Sequence, residues 1–201
     1  MKAIRRLVAL VFVVWMMWAP VVGAKVMVLD STGAIDTKSS FSVFGTSGVS
    51  VTADQMAGPV FALAKRTMIT EVGAFLNNCV SIVEGVPQCP SAAPFLAFVY
   101  RLGSVPGVDE PEAGFVLSHD HAPLLVSYEF AESRVVLDPG IYVLLFAAQG
   151  SDEGFLLSAA SDQEYVAETA LIEVFDGSVA TIFPQQVAVR ILGHPIGRGH
   201  R

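Results

Sequence analysis

Short apolar segments separated by turn-forming residues fill the chain after residue 25. Some alternate apolar and polar positions with a period of two, and others are brief runs that are apolar on both faces; both patterns are typical of β-strands. Gly, Pro, Asp and Ser separate these segments. The pattern predicts strands at residues 26–29, 60–64, 68–76, 95–102, 124–130, 135–137, 141–146, 155–157, 171–175, 179–183 and 187–192.

Two of the connections carry strong turn signals. Residues 138–140 read Asp-Pro-Gly between two apolar runs, where proline presets φ and glycine accepts a positive φ. Residues 176–178 read Asp-Gly-Ser between the apolar segments 171–175 and 179–183, which predicts a hairpin. Residues 159–170 combine a capping-box pattern with an aromatic and β-branched pair, so a short helix and a further strand both stay open there.

Many short strands without intervening helical periodicity predict an all-β fold. We expect a two-sheet sandwich, and among sandwiches a jelly roll, rather than βαβ units. The sandwich domain is expected to span residues 25–193. Residues 194–201 have no apolar pattern and are expected to form a disordered tail.

The first twenty-four residues have the pattern of an export signal. Basic residues within the first six positions precede an apolar run at residues 7–22, and small residues follow, ending at Ala24. This predicts a signal peptide over residues 1–24 that is cleaved from the domain. The apolar run is close to the roughly 18 residues that can span a bilayer, so an uncleaved anchor is the alternative. Both readings place the domain in the periplasm, at the cell surface or in the medium.

Charge excludes several classes of partner. The full chain has a net charge of −7, and the leader holds three of its 12 basic residues and no acidic residue. The mature domain is therefore more acidic still, which disfavours binding to nucleic acid or to an anionic membrane surface. After removal of the leader we expect no stable membrane insertion.

Cys79 and Cys89 are the two cysteines of the chain. In an oxidising compartment such a pair is expected to form a disulfide. The loop between them contains Gly85 and Pro87 and can turn back. On the chain-entropy model the bridge contributes about 2–3 kcal/mol. A redox-active or metal-binding pair is the alternative, although there is no C-x-x-C spacing.

His119-Asp120-His121 is the segment with the clearest metal-ligand chemistry. On a strand, residues two apart share a face, so His119 and His121 would together reach one zinc or copper ion. The alternative is a solvated loop that leads into the strand after Pro123. No third ligand is evident nearby in the sequence.

Acidic segments allow a second metal. Asp109, Glu110, Glu112 and the pair Asp152-Glu153 lie in expected loops. Calcium takes six to eight oxygen ligands from such loops, although no D-x-D-x-D-G pattern is present. Ordinary solvated carboxylates are the alternative. The sequence therefore predicts no cofactor, and calcium and zinc are the metals that its residues allow.

The pattern L-x-x-G-x-Y-x-L at residues 137–144 resembles a strand turn of bacterial exported β-sandwich domains. These are jelly rolls of the carbohydrate-binding-module-like type, including the choice-of-anchor group. Residues 187–193 are similar to the apolar-x-apolar-x-Gly end of the last strand in those domains. The resemblance implies an exported jelly roll. Both tryptophans lie in the leader, so the indole rings that stack on sugars are missing from the domain.

These observations predict a non-catalytic secreted or cell-surface sandwich, not an enzyme. No G-x-S-x-G, G-x-G-x-x-G or Walker pattern occurs. Sandwiches bind through loops, so residues 103–114 and the loop 79–89 are the expected contact regions for a ligand, or for a protein or glycan at the cell surface. The alternatives are a secreted hydrolase with a loop-borne metal or acid site, and a structural subunit of a surface assembly.

Overall fold

The computed structural model describes residues 26–32, 41–42, 48–52, 55–77, 81–83, 86–88, 95–106, 108–117, 125–149, 154–158, 171–175, 178–183 and 187–197. All regular structure within these ranges is β, and every pairing between the named strands is antiparallel. The described part of the chain contains no helix with the length and hydrophobicity needed to span a bilayer. The predicted all-β class is confirmed.

Seven strands form the first sheet, called the large sheet below. They are β1 (Val26–Asp30), β2 (Phe41–Ser42), β3 (Gly48–Thr52), β5 (Thr67–Asn77), β10 (Leu125–Leu137), β12 (Gly154–Ser158) and β15 (Val189–Pro195). The order is β1-β15-β5-β10-β2, and β12 pairs with both β5 and β3. Strand β5 is central, because β15 and β10 flank it along most of its length.

Six strands form the second sheet, called the small sheet below. They are β4 (Gln55–Leu63), β8 (Phe95–Arg101), β9 (Ala113–Val116), β11 (Gly140–Ala148), β13 (Leu171–Phe175) and β14 (Ser178–Phe183). The order is β14-β13-β4-β11-β8-β9. A separate two-stranded ribbon pairs β6 (Ser81–Val83) with β7 (Val86–Gln88).

The main hydrophobic core lies between the two sheets. Alternate residues of the central strands supply it, among them Ile69, Val72 and Leu76 from β5 and Leu144 and Phe146 from β11; none is more than 1% exposed. Burial of each such side chain contributes about 1.5–3 kcal/mol. The shared core accounts for a two-sheet, sandwich-like arrangement.

The turn at residues 138–140 joins the two sheets instead of closing a hairpin. It leads from β10 of the large sheet into β11 of the small sheet. Gly140 is a strand residue, and among the described glycines the positive φ belongs to Gly103, so the expected positive φ at Gly140 is wrong. A Cβ at Gly140 would lie 3.3 Å from Cε2 of Tyr142. Glycine is suited to this position because it leaves room for the tyrosine ring.

Tyr142 fixes this crossing between the sheets. Its side chain is fully buried, and its hydroxyl donates a hydrogen bond of 2.7 Å to the carbonyl oxygen of Asp138. The ring stacks on Phe61 at a centroid distance of 5.6 Å, and the Arg101 guanidinium lies 5.4 Å from its centroid. A tyrosine that bonds the backbone a few residues upstream is a known way to hold a sandwich corner.

Most predicted strands are confirmed, and β13 and β14 form the expected hairpin. The expectation that residues 103–114 are all loop is wrong at its end, because Ala113 and Gly114 pair with β8. Residues 124–130 and 135–137 belong to one strand, β10, whose polar middle lies beside β5. Strand β15 continues past residue 193, because His194 and Pro195 pair with β5. The undecided segment 159–170 lies outside the described residues.

Candidate functional site at a bulge in the large sheet

Strand pairing is irregular at one level of the large sheet, around Thr70. Glu71 pairs with Glu132, and Ile69 pairs with Val135, so two residues of β10 lie opposite Thr70. On the side of β5 that faces β15, Glu71 pairs with Leu192 and Ile69 pairs with Gly193. Strand β15 therefore has no residue opposite Thr70. Bulges bend strands and redirect side chains, and they are over-represented next to functional sites.

An open depression of about 630 Å³ lies at this irregularity. Among the described residues, those that line it are Met68, Thr70, Glu132, Ser133, Arg134 and His194. It opens on the side of the sheet away from the main core, since Ile69 and Ile191 are core residues and Met68 and His194 alternate with the core positions along their strands. We call this depression the bulge pocket. Its volume falls within the range of small-molecule sites.

Thr70 contributes the least expected feature of the bulge pocket. Its hydroxyl oxygen is buried, and it has no hydrogen-bond partner in the described part of the chain. Burying a hydroxyl without a partner costs about 1–3 kcal/mol in proteins. Such a group needs a specific explanation. Because the oxygen is enclosed, a ligand in the bulge pocket reaches it only when a lining side chain moves aside.

Two opposite charges also line the bulge pocket. Glu132 and Arg134 are both exposed, and within the described residues neither forms an ion pair. Between them, Ser133 accepts a hydrogen bond of 3.2 Å at its Oγ from the backbone N–H of Val135. The Ser133 hydroxyl proton therefore remains available to a ligand. The described lining of the bulge pocket thus offers a carboxylate, a guanidinium, the Ser133 hydroxyl and the imidazole of His194, with the enclosed Thr70 hydroxyl behind them.

A network of polar and aromatic groups crosses the large sheet beside the bulge pocket. Oδ2 of Asp30 lies 3.2 Å from Nη2 of Arg190, whose guanidinium lies 5.8 Å from the centroid of Tyr128. The Tyr128 hydroxyl donates a hydrogen bond of 2.9 Å to Oε1 of Glu71. Burial and this bond to Glu71 raise the pKa of Tyr128. These contacts connect strands β1, β15, β10 and β5. They include Glu71, the residue next to Thr70.

Gly193 allows β15 to pass close to β5 at the same level. A Cβ at this position would lie 2.8 Å from Cγ2 of Thr67 and 3.0 Å from the carbonyl oxygen of Met68. Both distances are too short for ordinary contacts, so a larger residue would push the strands apart. The close approach places the next residue, His194, at the bulge pocket.

The described lining of the bulge pocket contains none of the site residues expected from the sequence. His119, His121, Cys79, Cys89 and the pair at residues 152–153 lie outside the described residues. Their predicted metal and disulfide roles stay predictions. The described residues contain no cluster of three or more His, Cys, Asp or Glu side chains arranged to hold a metal.

The acidic loop between β8 and β9 is exposed, as expected. Asp109 accepts a hydrogen bond of 2.7 Å at Oδ2 from the backbone N–H of Val105, which stabilises the turn. Glu112 lies 3.5 Å from Nε of Arg101 in an exposed ion pair. Val108 at the loop tip is 80% exposed. These contacts account for two of the three acids by local structure.

Sequence reasoning identified none of the bulge-pocket residues as functional. A signal was present, because the apolar positions Ile69 and Val72 are three residues apart, whereas a regular strand face repeats every two. This interruption of the two-residue alternation of buried positions lies at the bulge. Likewise, Glu132-Ser133-Arg134 interrupts two apolar runs that belong to one strand.

No protein-family model matches the chain. A comparison with curated proteins gives no match either.

Proposed function

We propose that this protein is a non-catalytic binding domain that holds a small polar ligand in the bulge pocket. The buried, unpartnered hydroxyl of Thr70 in the lining of that pocket carries the proposal. Because the oxygen is enclosed, a ligand supplies the missing hydrogen bond when a lining side chain moves aside on binding, as side chains at binding sites commonly do. The proposed binding site lies on the face of the large sheet and not in the loops that are expected from the sequence.

We further propose that the domain is exported and folds as a jelly roll after removal of residues 1–24. The charge and hydropathy of the leader support export. The sandwich-like core and the corner at Tyr142 support the resemblance to exported sandwich domains.

Replacement of Thr70 tests the binding role of its hydroxyl. Thr70→Val removes the oxygen and keeps the β-branched shape, so the free protein should be as stable as the parent or more stable by up to about 1 kcal/mol. Thr67→Val is the matched control, because the Thr67 hydroxyl donates a hydrogen bond of 2.8 Å to the carbonyl oxygen of Lys65. The control should lose about 0.5–1.5 kcal/mol. Urea unfolding measures both changes.

The same variant is then used in a thermal-shift screen with small polar metabolites. A ligand that binds in the bulge pocket should stabilise the parent more than Thr70→Val. If Thr70→Val loses as much stability as Thr67→Val, its hydroxyl has a structural partner and the proposed site is wrong. If every stabilising compound acts equally on parent and variant, the binding role of Thr70 is also refuted.

A further inference from the structure

We propose that the ligand of the bulge pocket is a small zwitterion of the α-amino-acid class, with its carboxylate at Arg134 and its ammonium group at Glu132. This inference rests on the proposed function and names the ligand class for the same site. It follows from the two charges, the hydroxyl groups and the apolar Met68 side chain in the described lining.

The two charges of the bulge pocket are opposite, close and unpaired. Glu132 and Arg134 are two residues apart on β10 and both line the bulge pocket. Residues two apart on a strand are separated by about 6–7 Å, a gap that a short molecule with two charges can fill. A simple anion would meet repulsion from Glu132, and a simple cation would meet repulsion from Arg134. A molecule with both charges satisfies both side chains.

Hydrogen-bond donors favour the carboxylate end at Arg134. A guanidinium binds a carboxylate through two parallel N–H bonds. Ser133 adds a hydroxyl proton, since its oxygen already accepts the Val135 N–H. The Thr70 hydroxyl has no partner within the described residues, but it is enclosed and can donate only after a lining side chain moves. Each hydroxyl has one proton to donate. In the described lining, the hydrogen-bond donors outnumber the one carboxylate, that of Glu132. Recognition of a ligand carboxylate requires such an excess of donors.

Met68 supplies the apolar part of the lining. A thioether side chain is flexible and adapts to apolar groups of different shape. It is therefore suited to the side chain of an amino acid and places no strict limit on its size. The depression of about 630 Å³ has room for one such molecule together with water.

Isothermal titration calorimetry of the purified full-length protein tests the inference. The probes are the twenty standard L-amino acids, followed by two analogues of L-leucine: 4-methylpentanoate, which lacks the amine, and 3-methylbutylamine, which lacks the carboxylate. At least one amino acid should bind. For L-leucine, or for the matched analogues of whichever amino acid binds best, loss of either charged group should weaken binding by about tenfold or more.

Single-charge variants identify the groups that bind the two ends. Glu132→Gln and Arg134→Gln should each weaken binding of the amino acid by about tenfold or more. Glu110→Gln and Lys65→Gln, at exposed positions outside the lining, are the matched controls and should leave binding unchanged. Arg134→Gln should also reduce the preference for the amino acid over the free amine.

The outcomes separate this inference from the proposed function. If no amino acid binds, or if the carboxylate analogue binds as tightly as its amino acid, the zwitterion inference is overturned. Inorganic phosphate or a sugar that binds the parent but not Thr70→Val would overturn the ligand class and leave the proposed function standing. A structural role for the Thr70 hydroxyl would overturn the proposed function itself.

Discussion

Removal of the Tyr142 hydroxyl should destabilise the protein by a small, measurable amount. In Tyr142→Phe the ring keeps its stacking on Phe61 and its contact with the Arg101 guanidinium. The variant loses the hydrogen bond of 2.7 Å to the carbonyl oxygen of Asp138. The second contact of the hydroxyl, to Nη2 of Arg101, is long at 3.4 Å and should add little.

The size of the effect follows from one lost neutral hydrogen bond. Such a bond contributes about 0.5–1.5 kcal/mol net, and Asp138 is exposed, so water can replace the lost donor in the variant. We therefore expect a decrease of about 1 kcal/mol in the free energy of unfolding, which corresponds to about 2–4 °C in Tm for a domain of this size.

Tyr100→Phe is the control for this measurement. Tyr100 is also largely buried, but its hydroxyl makes no hydrogen bond within the described residues and, unlike that of Thr70, is not enclosed. Its removal should change stability by less than about 0.5 kcal/mol. Urea unfolding with a shared m-value gives both differences. Equal losses in the two variants would show that the hydrogen bond to Asp138 does not hold the corner between the sheets.

Three further changes test other contacts of the large sheet. Asp30→Asn should lower the free energy of unfolding by about 1.5–3 kcal/mol, because it removes the mostly buried charge that binds Arg190. The control Glu112→Gln, in the exposed pair with Arg101, should lower it by less than about 1 kcal/mol. Similar losses in the two variants would contradict the role of burial. Gly193→Ala should cost about 1–3 kcal/mol through its clash with Thr67 and Met68, and a neutral effect in urea unfolding would show that β15 can move away. Burial raises the pKa of Tyr128 in the folded state. As the pH rises, the unfolded state therefore loses the phenol proton at a lower pH than the folded state does. The stability that this difference contributes is complete below about pH 10 and is lost as the pH rises above it. Tyr128→Phe should reduce the slope of stability against pH by up to about 1.4 kcal/mol per pH unit in that window, and unchanged slopes would refute this.

Local pattern was sufficient to predict most strands, because strand formation here follows the alternation of apolar residues. The hairpin of β13 and β14 was predictable for the same reason: its turn and both partner strands are contiguous in sequence. The turn at residues 138–140 shows the limit of local information. Its residues indicate a change of direction, but whether β10 and β11 pair depends on strands far away in sequence. The structure places them in different sheets.

The bulge pocket was beyond prediction for a related reason. It exists because β5, β10 and β15 differ by single residues in register at Thr70. Each strand alone shows only a weak irregularity, such as the three-residue step from Ile69 to Val72. A pocket lined by three strands becomes apparent only when their pairing is known.

At Thr70 the stability of the folded protein and the binding of a ligand are expected to depend on the same hydroxyl group. Apart from Thr70, the buried side-chain polar atoms in the described part of the chain have partners, so this hydroxyl is a local cost in an otherwise satisfied sheet. Such violations are expected at functional sites. A ligand that satisfies the hydroxyl stabilises the folded state in proportion to the logarithm of its concentration. The free protein should therefore become more stable when Thr70 is made apolar, and the protein saturated with ligand should not. This reversal distinguishes a binding site from a packing defect, because a defect would be relieved by valine equally in both states.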